Sequence, residues 1–424
     1  MQFAEKSNFI SDSLVWDMYF VVCWGILTES LPIFVVCKNR IMEHLNVYDG
    51  DEVISRVCVA GNIEEVEELI SGYENVFAVM DSEVAMECPD AVCLAEILNR
   101  RSVPGMLVEA SEESKTMDTV MDICTWLLDQ GADRDALVLA IGGGITSDMV
   151  GFAASIYKRG VRFAYIPTTL LAQVDAAIGG KTGVNLNTYK NILGVIRQPE
   201  FTFISTKMLE SLPHRDFLSG AAEMLKTFLI EDNGNYEVAV SVLSTMNRRC
   251  CEMMVDGMDE AEAWKECLLE SVDDLTPLIA AAARVKAGVV SRDQFEKGER
   301  RKLNLGHTFA HAIESLSRKY ENAITHGEAV AMGILLAAEL SEKLTVKRCG
   351  YDAAFIYHKL EDDFFACGLS IGCPFGVQEM ASAMKKDKKA EGGKVHFALP
   401  SFIGDVRIYD LSVEEAVDIL ESSL

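Results

Sequence analysis

The sequence predicts an α/β fold: a Rossmann-like N-terminal domain on a parallel sheet, followed by an all-α C-terminal domain. From about residue 55, short β-branched or apolar runs alternate with helical patterns, as parallel strands covered by helices require. The stretch DALVLAIGGGITSDMVGFAASI (135–156) passes from a strand through a glycine turn into a helix. Beyond about residue 212, long helical patterns dominate and strand signals become rare.

Taken in order, the N-terminal MYFVVCWGIL and SLPIFVVC invite a membrane reading. Their longest apolar run is ten residues, broken by Glu29 and Pro32, whereas a spanning helix needs about 20. Glu5, Asp12 and Asp17 precede it where a secretory signal has basic residues. Residues 1–50 are therefore expected to be an extension, a peripheral strand or helix, or sequence upstream of a working chain that starts near Met42. In the α/β domain (51–212), NVFAVMDSEV reads as a strand ending at Asp81 and VPGMLVEAS as another. TVMDICTWLLDQ reads as an amphipathic helix, and VRFAYIPTT as a further strand. The boundary falls near Pro213. In the helical part (213–424), AAAARVKAGVVSR, GHTFAHAIESLSRKY and GEAVAMGILLAAELSEKL are the clearest helices. Residues 241–271, rich in methionine and acidic residues, receive no assignment and read as a surface insertion.

Composition narrows the function. With 65 acidic against 39 basic residues the net charge is −26, which repels nucleic acid and anionic membrane surfaces. Twelve cysteines without C-x-x-C pairs predict reduced thiols in a cytoplasmic protein. Gly142, Gly143 and Gly144 lie where a buried strand turns into a helix, a place where backbone N–H groups approach a pyrophosphate. A tight turn with no ligand would leave the same glycines. Asp148 follows in the first turn, a favourable charge near the helix N-terminus. Asp175, Lys181, Lys190 and Asn191 punctuate an apolar, glycine-rich stretch, and a strongly acidic protein must concentrate its few cations wherever it binds an anion. His307 and His311, four apart, share a helical face and could ligate one metal ion. Alternatively, one ligates while the other faces the ligand. His326 lies 15 residues beyond His311. Glu223, Glu314 and Glu328 are all candidates for the carboxylate, which spacing does not decide.

Six motifs in order, EESK, GGGITSDMVGFAA, PTTLLAQVDAAIGGKTGVN, SGAAEMLK, LNLGHTFAHAIE with HGEAVAMG, and DKKAEGGKVHFALPSFIG, closely resemble the 3-dehydroquinate synthase family. The match runs from about Asp81 to about Gly404. The resemblance implies an active site in the cleft between the two domains and a metal, Zn2+ or Co2+, on Glu223, His307 and His326. NAD would contact Asp81, Glu112, Lys115, Gly142, Gly143, Gly144, Asp148, Thr168, Thr169 and Lys190. An anionic sugar phosphate would be held by Arg159, Asp175, Lys181, Asn191, Lys226, Lys286, Arg300, Asn304 and Lys388. Lys181, Arg300 and Asn304 would also take part in catalysis, with His311 transferring protons and Glu296 accepting one. A homodimer is implied, with Arg159 acting across its interface.

In that family's reaction, 3-deoxy-D-arabino-heptulosonate 7-phosphate becomes 3-dehydroquinate and phosphate. Transient oxidation at C5 acidifies C6 for phosphate elimination, reduction follows, and an aldol step closes the ring. NAD is regenerated. Departures from the family pattern are Ala310 between the histidines and Ser111 before EESK, both in place of glycine, and Gln294 in place of an acidic residue. Other sugar-phosphate cyclases, an aminated analogue of the reaction, and metal-dependent polyol dehydrogenases are the rival readings. A dehydrogenase would not need the cationic cluster.

Overall fold

The computed structural model describes residues 42–187, 189–320, 322–349, 356–387 and 394–422. Lys388 and the segment 1–41, with the expectations attached to them, lie outside these residues. The chain opens with the hairpin β1 (Glu43–Asp49) and β2 (Glu52–Ala60), so the sheet begins inside the stretch expected as an extension. There follow α1 (Val66–Ile70), β3 (Val76–Asp81), α2 (Ser82–Glu87), α3 (Pro89–Arg100), β4 (Gly105–Val108), α4 (Met117–Asp129), β5 (Leu137–Gly142), α5 (Gly144–Ile156) and β6 (Arg162–Pro167). A π-helical turn, Ala172–Ala176, leads to a second hairpin, β7 (Lys181–Leu186) and β8 (Tyr189–Ile196), and then to β9 (Phe201–Ser205).

The seven-stranded sheet runs β1-β2-β9-β6-β5-β3-β4, parallel throughout except for β1 against β2. Its central strands are apolar on both faces, as a sheet with helices on each side demands. Leu137, Leu139 and Ile141 of β5 enter one core; Val138 and Ala140, pointing the other way, enter a second. The chain places β4 on one side of β3 and β5 on the other. The crevice at such a reversal, beyond the carboxyl ends of the strands, is where open α/β sheets bind ligands. Asp81 ends β3 and Gly142 ends β5, so both stand at that crevice.

Pro213 is the N-cap of α6 (His214–Ile230). After it come α7 (Asn235–Val255), α8 (Glu260–Arg292), a 3-10 turn Glu299–Asn304, α9 (His307–Ser317), α10 (His326–Cys349), α11 (Ile356–Ala366) and α12 (Val377–Asp387). The hairpin β10 (Val395–Phe402) and β11 (Asp405–Leu411), a strand pair that the sequence pattern does not single out among the helices, precedes α13 (Val413–Glu421). Residues 241–271 are not a surface insertion. Tyr236, Ala239, Leu243, Met246 and Cys250 repeat at three- and four-residue intervals and are buried in the same core as Ala263, Trp264, Cys267 and Leu268 of α8. Met246 and the cysteines pack there as apolar groups. The same core takes in Leu45 and Val47 of β1 and Val57 and Val59 of β2, joining strands and helices without a break. No helix among the described residues is long and apolar enough to cross a membrane.

Candidate active site

Three helices bring Glu223, His307 and His326 together. α10 approaches α6 so closely that a Cβ on Gly327 would collide with the Ser219 backbone, and the Gly327 N–H donates to Ser219 Oγ at 2.9 Å. Ser219 lies one turn before Glu223, and His326 precedes Gly327, so this contact sets the two side chains face to face. α9 packs along α10 and supplies His307 from its first turn. The candidate ligand atoms all lie within 4.8 Å of one another. Nε2 of His307 is 3.6 Å and Nε2 of His326 is 3.3 Å from Glu223 Oε1.

Each imidazole is oriented through its other nitrogen. His307 Nδ1 lies 3.1 Å from the Leu305 carbonyl and His326 Nδ1 lies 3.2 Å from Glu314 Oε1. With Nδ1–H donated there, each Nε2 faces the shared space, the usual support of a metal-bound histidine. Geometry thus separates the three candidate carboxylates. Glu223 faces both Nε2 atoms and Glu314 backs His326. Glu328 is held by Arg215 at 2.9 and 2.7 Å and by the Thr325 N–H at 2.7 Å. His311 is on the exposed side of α9 and outside the three-residue cluster, its ring edge-on to that of His307 with centroids 5.7 Å apart.

Burial opposes charge on Glu223, yet Lys226, with Nζ 2.5 Å from Oε2, and the two histidines hold its carboxyl well below the usual range. Burial and the Lys226 charge push His307 down to about 3, which keeps it neutral as a ligand must be. For His326 burial is outweighed by Glu223 and Glu314, which raise it to about 10, so without a metal the ring holds a proton that a bound cation would displace. Two nitrogens and a buried carboxylate, neither of whose oxygens completes a well-directed hydrogen bond, suit a divalent cation of the zinc type.

Next to this cluster the charges alternate. Lys226 lies 3.6 Å from Asp175 Oδ1, and Lys286 Nζ lies 2.5 Å from the same oxygen. Burial works against Lys226, but two carboxylates raise its pKa; burial prevails over the single Asp175 at Lys286 and brings it down to about 8. Arg300 is buried, with Nη1 donating to the Gln294 carbonyl at 2.5 Å and Nη2 to that of Gly179 at 2.9 Å; its Nε is buried without a partner. Glu296 accepts from Asn304 Nδ2 at 2.6 Å and pairs with Lys181.

At the crevice, a Cβ on Gly142 would collide with the Thr146 side chain, so the glycine lets the turn close. Asp81 caps α2 by accepting from the Glu83 N–H at 3.1 Å. Thr168 Oγ1 is buried without a partner, and Thr169 Oγ1 accepts from the Ala172 N–H at 3.2 Å. Buried Lys115 donates to Asp148 and to Asn191 Oδ1, each at 2.6 Å. Asn191, expected with the substrate set, therefore lies beside Lys115, expected with the cofactor set. Lys190 lies between Glu112 at 3.9 Å and Glu314 at 3.8 Å, linking the crevice to the histidine cluster. Ser111, in place of the family's glycine, exchanges N–H-to-hydroxyl bonds of 2.9 and 3.1 Å with Ser114, closing the turn that carries Glu112.

Arg159 is not brought to this assembly. It lies past the far end of 13-residue α5 from the glycine turn, about 20 Å away at 1.5 Å per residue, and it is exposed. Two contributors carry no functional assignment in the sequence reading: Asn185, which donates to Glu112 Oε2 at 2.9 Å, and the Gln294 carbonyl on Arg300. Asn185 ends the GKTGVN motif and was within reach of sequence reading; a backbone carbonyl leaves no residue-type signal.

The family described as 3-dehydroquinate synthase N-terminal matches residues 105–219, and that described as 3-dehydroquinate synthase C-terminal matches residues 220–390. A 3-dehydroquinate synthase of Acidithiobacillus ferrooxidans (strain ATCC 53993 / BNL-5-31) is 40% identical over 72% of this chain and 76% of its own length. One from Alkaliphilus metalliredigens (strain QYMF) is 34% identical over 84% and 92%. Among solved structures, a 2-epi-5-epi-valiolone synthase from Streptomyces hygroscopicus subsp. jinggangensis 5008 with NAD+ and Zn2+ bound superposes with a TM-score of 0.72 at 27% identity, over 87% of this chain and 96% of that one. A 2-deoxy-scyllo-inosose synthase complexed with carbaglucose-6-phosphate, NAD+ and Co2+ shares the fold, with a TM-score of 0.69 at 23% identity over 90% and 100%. With both halves matched in sequence and relatives aligned along most of their length, the chain belongs to the 3-dehydroquinate synthase family.

Proposed function

We propose that this chain converts 3-deoxy-D-arabino-heptulosonate 7-phosphate to 3-dehydroquinate and phosphate, with NAD used catalytically and Zn2+ or Co2+ held by Glu223, His307 and His326. The observation that carries this reading is the junction of that three-ligand cluster with the buried cations Lys226, Lys286 and Arg300. The three cations face two carboxylates, Glu223 and Asp175, and Glu223 would also serve the metal; a substrate bearing carboxylate and phosphate supplies the missing negative charge, which a polyol does not.

When bound, NAD supplies a hydride acceptor and donor at C5, and the metal polarises the C5 oxygen. The polypeptide does the rest. Lys226, Lys286, Arg300, Asn304, Lys181 and Lys388 hold the anionic groups, with Asp175 fixing the two lysines. His311, outside the metal cluster, exchanges protons with the substrate, and Glu296, aligned by Asn304 and Lys181, accepts one. Asp81, the glycine turn, Lys115 with Asp148 and Asn191, Thr168, Thr169, Glu112 and Lys190 form the NAD side. Arg159 serves the partner subunit of a homodimer, consistent with its distance from its own chain's site. The described cysteines are free thiols, which suits a reducing compartment such as the cytoplasm.

The test is phosphate release from the seven-carbon substrate with catalytic NAD and Zn2+, with absorbance followed for NADH. Phosphate without net NADH is expected. NADH accumulating from polyols, with no phosphate, would mean a dehydrogenase.

A further inference from the structure

We propose that Asp293 is a positioning residue for the loop that presents Glu296 and Arg300, an inference resting on the reaction proposed above. Asp293 is the C-cap of α8, its φ of −154° taking the chain out of the helix. A carboxylate there faces the negative end of the helix dipole, so the helix itself does not favour it. The loop that follows does. Oδ1 accepts from the Lys297 N–H at 2.9 Å, and Oδ2 accepts from the N–H groups of Gly298 at 2.7 Å and Arg300 at 3.0 Å. Three backbone donors converge on one carboxylate. Against a desolvation cost, these bonds and the Arg300 charge hold its carboxyl below the ordinary range.

Two consequences follow for the site. The turn sets Glu296 at φ +58°, a left-handed conformation that costs a non-glycine residue energy and persists only where the surroundings enforce it. In that conformation its carboxylate meets Asn304 and Lys181. The turn also folds Arg300 back so that its guanidinium reaches the carbonyls of Gln294 and Gly179. The loop thereby ties α8, which carries Lys286, to the glycine-rich stretch before Lys181. Asp293 acts through Glu296 and Arg300.

Each Asp293 oxygen accepts at least one N–H, so an amide in either orientation would set a donor against a donor. Asp293→Asn is expected to lower kcat/KM for phosphate release about tenfold and Asp293→Ala about a hundredfold, as slight misplacement of aligned groups does. KM for NAD and zinc bound per chain should stay at wild-type values. A second measurement is independent of turnover: by mass spectrometry, backbone hydrogen exchange across residues 294–301 should be faster in Asp293→Ala than in wild type. Unchanged kinetics, unchanged exchange, or zinc and NAD lost together with activity would each overturn the proposal. Wild-type protein that releases no phosphate would refute the reaction instead, and the exchange comparison would still decide the role of Asp293 in the loop.

Discussion

His307 and His311 sit one helical turn apart, yet their surroundings give them different work. Leu305 and Glu223 bracket the first ring, while the second stands on the exposed side of α9. His307→Ala should lose bound zinc and phosphate release together, whereas His311→Ala should keep zinc and turn over slowly. Equal zinc loss in both, measured as metal per chain, would contradict this. The sequence placed both histidines correctly on one helix but left the carboxylate open, because Glu223 is on a different helix and only tertiary packing selects it over Glu314 and Glu328. Lys286 gives a pH test. Its folded pKa of about 8 lies below the unfolded value, so between about 8 and 10.4 the unfolded chain binds more protons and this group's contribution to stability rises with pH. Its usefulness to an anion runs the opposite way: KM for the sugar phosphate should climb above about pH 8 while KM for NAD stays level. Lys286→Arg should remove that alkaline limb.

Among the elements, the contact of α6 with α10 is the most exacting. Gly327→Ala forces those helices apart and should lower stability by about 1–3 kcal/mol, the range for overpacking. It should also weaken zinc binding, because Glu223 and His326 separate. Thermal melting and a zinc titration check both, and an unchanged zinc affinity would sever the link between this contact and the site. The strand–turn–helix of β5 and α5 was legible from sequence because an apolar strand and the glycines at its turn agree there, whereas Asp148, expected in the first helical turn, lies just beyond it and pairs with Lys115 instead. The β7/β8 hairpin was not, since its glycines and lysines read equally well as a loop and many of its residues are exposed. α7 was hidden for another reason: its core stripe includes methionine and cysteine among many polar residues, which masks the helical period.

At the scale of the molecule, an acidic chain of net charge −26 gathers three buried cations, Lys226, Lys286 and Arg300, beside the histidine cluster, and only the fold reveals that they alternate with carboxylates. Arg159, remote from its own chain's cluster, makes the dimer testable. Arg159→Ala and His307→Ala proteins, each inactive alone, should regain up to about a quarter of wild-type activity after subunit exchange, because half the dimers are mixed and each mixed dimer has one intact site. No recovery between verified mixed dimers would remove Arg159 from the partner's site. The pairing of Lys226 with Glu223 has a bearing on how the protein matures. Because Glu223 has a counter-ion within its own helix, its buried charge is compensated without a metal, and the chain is expected to fold before an ion binds.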